Sequence, residues 1–291
     1  MARGIDHLVL PVRDLDAARA TYERLGFTLT PTAKHPWGTS NALVQMDGNF
    51  LELLAVTDPE LIRQPKSGEI SFGAFNMDFA ERHEGFSMLV LESAGPDVDR
   101  AEYLAAGMQV HAPFSFERQA KQPDGSTATV GFSLTIASHE DMPNAGFFTC
   151  HQHNPAAFWK PDYQVHANGA EVIGGVTMVT DDPQQFSSFF ADFSGSNTVT
   201  SSASAVDVST PRGRLSVVTS AEFVTRHDIP VTDAVSLPAF CAYTITVKDL
   251  EATTALFAGN GVEHIRHDGR IIIPPSSAHG VTLAFEANSG H

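Results

Sequence analysis

The chain has 291 residues, 42% of them hydrophobic and 18% charged, which suits two domains or one duplicated unit and is too apolar for a disordered chain. Acidic residues outnumber basic ones 34 to 18, giving a net charge of −16. That field repels phosphate backbones and anionic lipid, so it disfavours nucleic acid and membrane partners and leaves a small molecule as the expected substrate.

Cys150 and Cys241 are the only cysteines, too few for a disulfide framework or a thiolate zinc site, and both are expected to be reduced. The apolar run at residues 8–12 is too short for a signal sequence or a membrane span, and a cytoplasmic location is expected. Whether two chains pair into a homodimer stays open.

In chain order, a strand is expected from His7 to Val12, a polar turn over residues 13–16, and a helix over about 16–25. The helix carries Ala17, Ala18, Tyr22 and Leu25 at helical spacing and ends at Gly26, a residue that accepts the left-handed C-terminal conformation. Extended segments follow at residues 27–32, 40–46 and 50–56. Residues 57–85 form an insertion, read as an ordered loop because it holds Phe72, Phe75, Met77 and Phe79.

The pattern then recurs. A strand opens at Met88, a helix covers about 98–106, Gly107 ends it, and strands are expected at 109–114, 130–136 and 146–151. A third copy begins near Val176, with Asp181-Asp-Pro, a Phe-rich helix, Gly195 and a strand at 214–219. The fourth runs from Ala242 through a helix reaching Asn260 to Gly261, with strands at 264–267, 270–273 and 281–286. His7 to Gly26, Met88 to Gly107 and Ala242 to Gly261 are each 19 residues apart. Each unit is strand-helix-strand-strand-strand. The units group as residues 1–155 and 171–291, joined by a proline-bearing connector at 156–170.

Gly4-Ile-Asp-His-Leu-Val-Leu, His35-Pro-Trp-Gly-Thr-Ser-Asn and Phe50-Leu-Glu-Leu-Leu, in this order within four such units, resemble the vicinal oxygen chelate superfamily and its glyoxalase-like branch. The resemblance implies an α+β fold of four βαβββ modules paired into two half-barrel domains. It also implies a divalent metal (Fe, Mn, Ni, Co or Zn) held in a cleft by two histidines and a carboxylate from first and fourth strands, with positions open to two substrate oxygens.

His7 and Glu52 fall at such positions. Met88 and Ala242 stand opposite His7, so only the first module keeps its histidine. The missing imidazole is sought near the end of the second module, where Thr149, His151 and His153 share one strand face. The expected metal set is His7, Glu52 and His153, with His151 as alternate. Ala284 occupies the matching place in the last module, so the second half looks stripped of ligands.

Glu52 is also informative by itself. It interrupts the run from Phe50 to Leu54, and a carboxylate facing inward there must be paired, protonated or metal-bound. Imidazole and carboxylate suit a transition metal that polarises a bound oxygen and eases an adjacent proton transfer, a step in which Glu52 is the candidate catalytic base. His35, Trp37 and Asn41 flank a turn at Gly38; they either line the cleft mouth or anchor a hairpin. Arg118, before the turn Pro123-Asp-Gly, is either a clamp for a substrate carboxylate or a surface strand residue. Phosphate-loop, HExxH and GxSxG segments are absent.

The expected function is therefore a metal-dependent lyase or isomerase acting on a small molecule with two neighbouring oxygens. A ring-cleaving dioxygenase and a metal-free binding protein of the same fold are the alternatives.

Overall fold

The computed structural model describes residues 1–121, 127–232 and 235–288. The first module comprises β1 (Ile5–Pro11), α1 (Leu15–Arg24), β2 (Ala33–Lys34), β3 (Thr39–Gln45) and β4 (Phe50–Val56). An inserted helix, α2 (Phe72–Arg82), leads to the second: β5 (Met88–Glu92), α3 (Pro96–Ala105), β6 (Gln109–Val110), β7 (Phe114–Lys121), β8 (Thr127–Ser138) and β9 (Gly146–Gln152). One turn of helix, α4 (Pro155–Phe158), lies in the connector.

The third module holds β10 (Ala170–Val179), α5 (Ser187–Ser194), β11 (Val199–Ser201), β12 (Ala205–Ser209) and β13 (Arg214–Val218), followed by α6 (Ser220–His227). The fourth holds β14 (Ala239–Val247), α7 (Leu250–Gly259), β15 (Ile265–His267), β16 (Arg270–Ile273) and β17 (Thr282–Ala287).

The α+β fold is thus four βαβββ modules in two sheets. The first sheet has the order β2-β3-β4-β1-β5-β9-β8-β6, with β7 on β8, and the second β11-β12-β13-β10-β14-β17-β16-β15. In every module the first and last strands run parallel, and the two first strands of a pair lie antiparallel at the sheet centre.

Helix α1 shows how the sequence sets a module. The Asp14 side chain accepts from the Ala17 amide, Leu15, Ala18 and Tyr22 face inward, and Gly26 leaves the helix at φ +84. The helix faces of both sheets then meet in one core. The Tyr22 and Tyr243 hydroxyls are 2.7 Å apart across it, Phe86 stacks on Phe240 at 4.2 Å, and Phe147 touches Phe189, Phe190 and Phe193 of α5.

Several expectations are corrected. Residues 27–32 form no strand, because the Thr28 amide and hydroxyl are bonded to His166 and the Val165 carbonyl of the connector. The insertion is not a loop: Ser71 caps α2, which packs Phe72, Phe75 and Phe79 at helical spacing. One expected strand of the second module is a β7/β8 hairpin, whose turn at Pro123-Asp-Gly lies outside the described residues. Strands β11 and β12 and helix α6 appear where no element was expected.

Among the described residues no helix is long and apolar enough to cross a membrane.

Candidate functional site

Strand alternation decides what enters the first cleft. Of β1, Leu8 and Leu10 join the core beneath the helices, while His7 and Val9 face the other way. Glu52 of β4 lies beside Val9 in the parallel ladder and points to the same face, as do Asn41 and Leu43 of β3. The cleft is otherwise walled by Phe50, Phe72, Phe114, Phe116, Phe132 and Phe148, and it encloses a cavity of about 50 Å³.

The polar groups inside are strongly ordered. Asp6 Oδ1 lies 2.5 Å from His7 Nδ1, and the ring of His7 stacks on Phe50 at 4.3 Å. A carboxylate only accepts, so His7 Nδ1 carries a proton toward Asp6, and Nε2 faces Glu52 Oε2, 3.9 Å away. His35 is arranged alike: Nδ1 is 2.8 Å from Thr39 Oγ1, and Nε2 is 3.9 Å from Glu52 Oε1. Burial pushes the His35 pKa down to about 4, with Glu52 opposing and Arg118 reinforcing, so the ring is neutral at neutral pH. Asn41 Nδ2 donates to Glu52 at 2.6 Å and also approaches His35 Nε2, at 3.4 Å. Trp37 stacks on His35 at 4.7 Å, and among the described residues its buried indole N–H and Asn41 Oδ1 have no hydrogen-bond partner.

The carboxylate of Glu52 thus stands between two imidazoles, one oxygen toward each, and all three side chains are buried. Two ring nitrogens facing a carboxylate beyond hydrogen-bond distance, with only the Asn41 amide reaching one of them, leave room for a cation or a transferred proton. His7, His35 and Glu52, two imidazoles and one acid, have the donor chemistry of a divalent-metal set, and to share one ion the two rings would have to close in on the carboxylate from either side.

Asp6, His7 and Cys150 make a second buried group, their donor atoms within 4.8 Å of one another. Burial, with Asp6 and Glu52 adding to it, holds the Cys150 thiol well above its ordinary pKa, and His7 Nδ1 is already engaged. In this group Asp6 serves to fix the ring and tautomer of His7, the usual task of a carboxylate behind a ligating histidine.

Five of the residues expected to line the site, His7, Glu52, His35, Trp37 and Asn41, do meet in the cleft, and Arg118 joins them from β7. His151 and His153 do not. In β9 it is Phe148 and Cys150 that face the cleft, whereas Thr149 binds Asp99 and Phe147 enters the core under the helices. His151 is exposed, and His153 bonds Ser133 on the far side of β8, next to Glu117. Both sit one residue out of register for the cleft, and the second imidazole that lines it is that of His35. Sequence reasoning missed Asp6 and Cys150. Asp6 adjoins a singled-out histidine, and Cys150 has the opposite strand parity to His151.

A family model described as a glyoxalase-like domain matches residues 5–193. The chain belongs to this glyoxalase-like family. Solved structures of the same fold include a hypothetical protein from Staphylococcus aureus, at 13% identity and TM-score 0.70, covering 98% of this chain and 100% of that one. A mutant of 4-hydroxymandelate synthase from Streptomyces coelicolor follows at 10% identity and TM-score 0.58, covering 99% and 93%. Homoprotocatechuate 2,3-dioxygenase from Arthrobacter globiformis is similar at 10% identity and TM-score 0.58, covering 99% and 80%. No curated protein matches by sequence. Together these place the glyoxalase-like chain in the vicinal oxygen chelate superfamily.

Within that fold the ladders locate the remaining ligand positions. Glu52 lies two residues beyond the β4 partner of His7; the same step from Met88 reaches Phe148, and from Ala242 it reaches Ala284. None of these four can supply the imidazole or acid found in the first module. The second sheet's cleft face is instead covered by α6, whose Phe223 packs with Val179, Val218 and Ala242. Arg226 of α6 forks onto Asp207 of β12 at 2.9 and 3.0 Å.

Proposed function

We propose that this glyoxalase-like chain is a metal-dependent lyase or isomerase that works in its first cleft on a small molecule with two neighbouring oxygens. The observation that carries the reading is the buried Glu52 carboxylate, 3.9 Å from a ring nitrogen of both His7 and His35.

His7, His35 and Glu52 would hold the ion, which on this reading is Fe, Mn, Ni, Co or Zn. When bound, it supplies a Lewis acid for the substrate oxygens. Asp6 keeps His7 in one tautomer and Thr39 steadies His35. Glu52 takes the proton from one of the two oxygen-bearing carbons and delivers it to the neighbouring one, its carboxylate steered by the Asn41 amide. The free Asn41 Oδ1 accepts from a substrate hydroxyl. The phenylalanine walls keep bulk water from the exchanged proton.

The test is titration of chelator-treated protein with each of the five metals, for wild type, His7→Ala and Glu52→Ala. Saturable binding weakened at least ~100-fold in both variants supports the reading. Equal binding by wild type and Glu52→Ala, or binding of none of the metals, overturns it.

A metal-free binding protein of the same fold is the second reading. The apolar Met88 and Phe148 at half of the ligand positions favour it. A ring-cleaving dioxygenase resembling the structural neighbours is less well supported, because α6 fills the second cleft, where the resemblance would place the iron.

A further inference from the structure

The mechanism above leaves one charged group in the cleft unused. Arg118 of β7 lines the cavity, and among the described residues neither a hydrogen bond nor an ion pair reaches its guanidinium. Desolvation lowers its pKa, and the charge of Glu52 partly restores it. An arginine partly withdrawn from water normally forks onto a carboxylate or phosphate, so a guanidinium free of hydrogen bonds beside a cavity has the donors to receive an anion.

A second observation concerns the approach to this residue. A groove of about 500 Å³ adjoins the cavity, sharing Asn41, Leu43, Arg118 and Phe158 with it. Lys34 and Lys160 line that groove, and among the described residues no aspartate or glutamate does, in a chain of net charge −16. The groove beside Trp37 and Phe72, of about 520 Å³, carries Glu60 and Glu69 against a single Arg63. A local basic mouth on an acidic surface draws anions to one entrance.

We propose that the substrate is a small organic acid that enters between Lys34 and Lys160 and sets its carboxylate on Arg118. The inner cavity of about 50 Å³ takes only the reacting oxygens, toward His7 and Glu52, so the apolar body rests in the groove against Phe158. Which end reacts rests on the proposed function; the Arg118 subsite does not.

Calorimetric titration of the full chain with phenylacetate and hexanoate, each against its neutral amide, tests the subsite. The acids are expected to bind about 10- to 100-fold more tightly than the amides, the range for a hydrogen-bonded charge. Arg118→Met should abolish that preference and Arg118→Lys should keep part of it, with circular dichroism confirming that both variants are folded. Lys34→Ala with Lys160→Ala should flatten the salt dependence of acid binding. Equal affinity for acids and amides, absence of acid binding at millimolar concentration, or an acid preference that survives Arg118→Met would each overturn the proposal. Repeating the titration in chelator-treated protein and in Glu52→Gln separates the two readings: an acid preference that persists without metal supports the Arg118 subsite even if the metal site fails its own test.

Discussion

His227 makes the chain sensitive to acid at a place remote from the first cleft. It lies on α6, only 1% exposed, stacked on Phe223 at 4.4 Å with Nδ1 3.1 Å from the Phe223 carbonyl. Burial pushes its pKa down to about 4; the carbonyl opposes this, and Arg270, Arg226 and His267 add to it. Between about 6.5 and about 4 the unfolded chain binds a proton here that the folded chain refuses. The contribution to stability is therefore complete above about pH 6.5 and is lost as pH falls toward about 4. A difference of about 2.5 pH units at 1.36 kcal/mol each gives about 3.4 kcal/mol in full, of which about 3 kcal/mol disappears between about pH 7 and about pH 4.

His227→Gln keeps a hydrogen-bond donor and removes the titration. Urea unfolding followed by circular dichroism at about pH 7, 5.5 and 4 should show wild type losing about 3 kcal/mol more than the variant. His35, lowered in the same direction, is present in both proteins and cancels in the difference. Stability curves that run parallel to within about 0.5 kcal/mol would refute the argument.

Two further outcomes are expected. Tyr22→Phe leaves the Tyr243 hydroxyl buried without its partner and should cost about 1–3 kcal/mol, most of it recovered in the double variant with Tyr243→Phe; a denaturant double-mutant cycle measures this, and additive losses would contradict it. His153→Ala and His151→Ala should alter metal affinity by less than about twofold in the calorimetric titration, since neither imidazole reaches the cleft; a large loss from either would return that histidine to the ligand set.

The modular plan was readable because each helix is bounded by local chemistry, such as Asp14 before α1 and Gly26 after it. His7 and Glu52 were readable because a polar residue inside an apolar strand can have few roles. Strand β9 defeated the same reasoning. Phe147 and Phe148 are both buried, one under the helices and one in the cleft, so alternation of apolar residues does not reveal which face His151 takes. His35 was singled out for the cleft mouth or a hairpin at Gly38, and β2 and β3 do form that hairpin, but its approach to Glu52 also depends on the register of β3 against β4, which the turn alone does not set. The β11 and β12 strands hide in a Ser/Thr-rich stretch, and α6 shows its purpose only once a cleft exists for it to cover.

The placement of α5 bears on where this chain could be divided. Phe189, Phe190 and Phe193 belong by sequence to the third module, yet they close over Phe147 of the second, and the Phe193 carbonyl accepts the Tyr103 hydroxyl at 2.9 Å. Cutting after Gln152 would strip that aromatic cover and leave the cleft-bearing half with a sticky, water-facing flank. The smallest autonomous piece should reach at least through α5, and residues 5–193, the stretch matched by the glyoxalase-like family, end on its last phenylalanine.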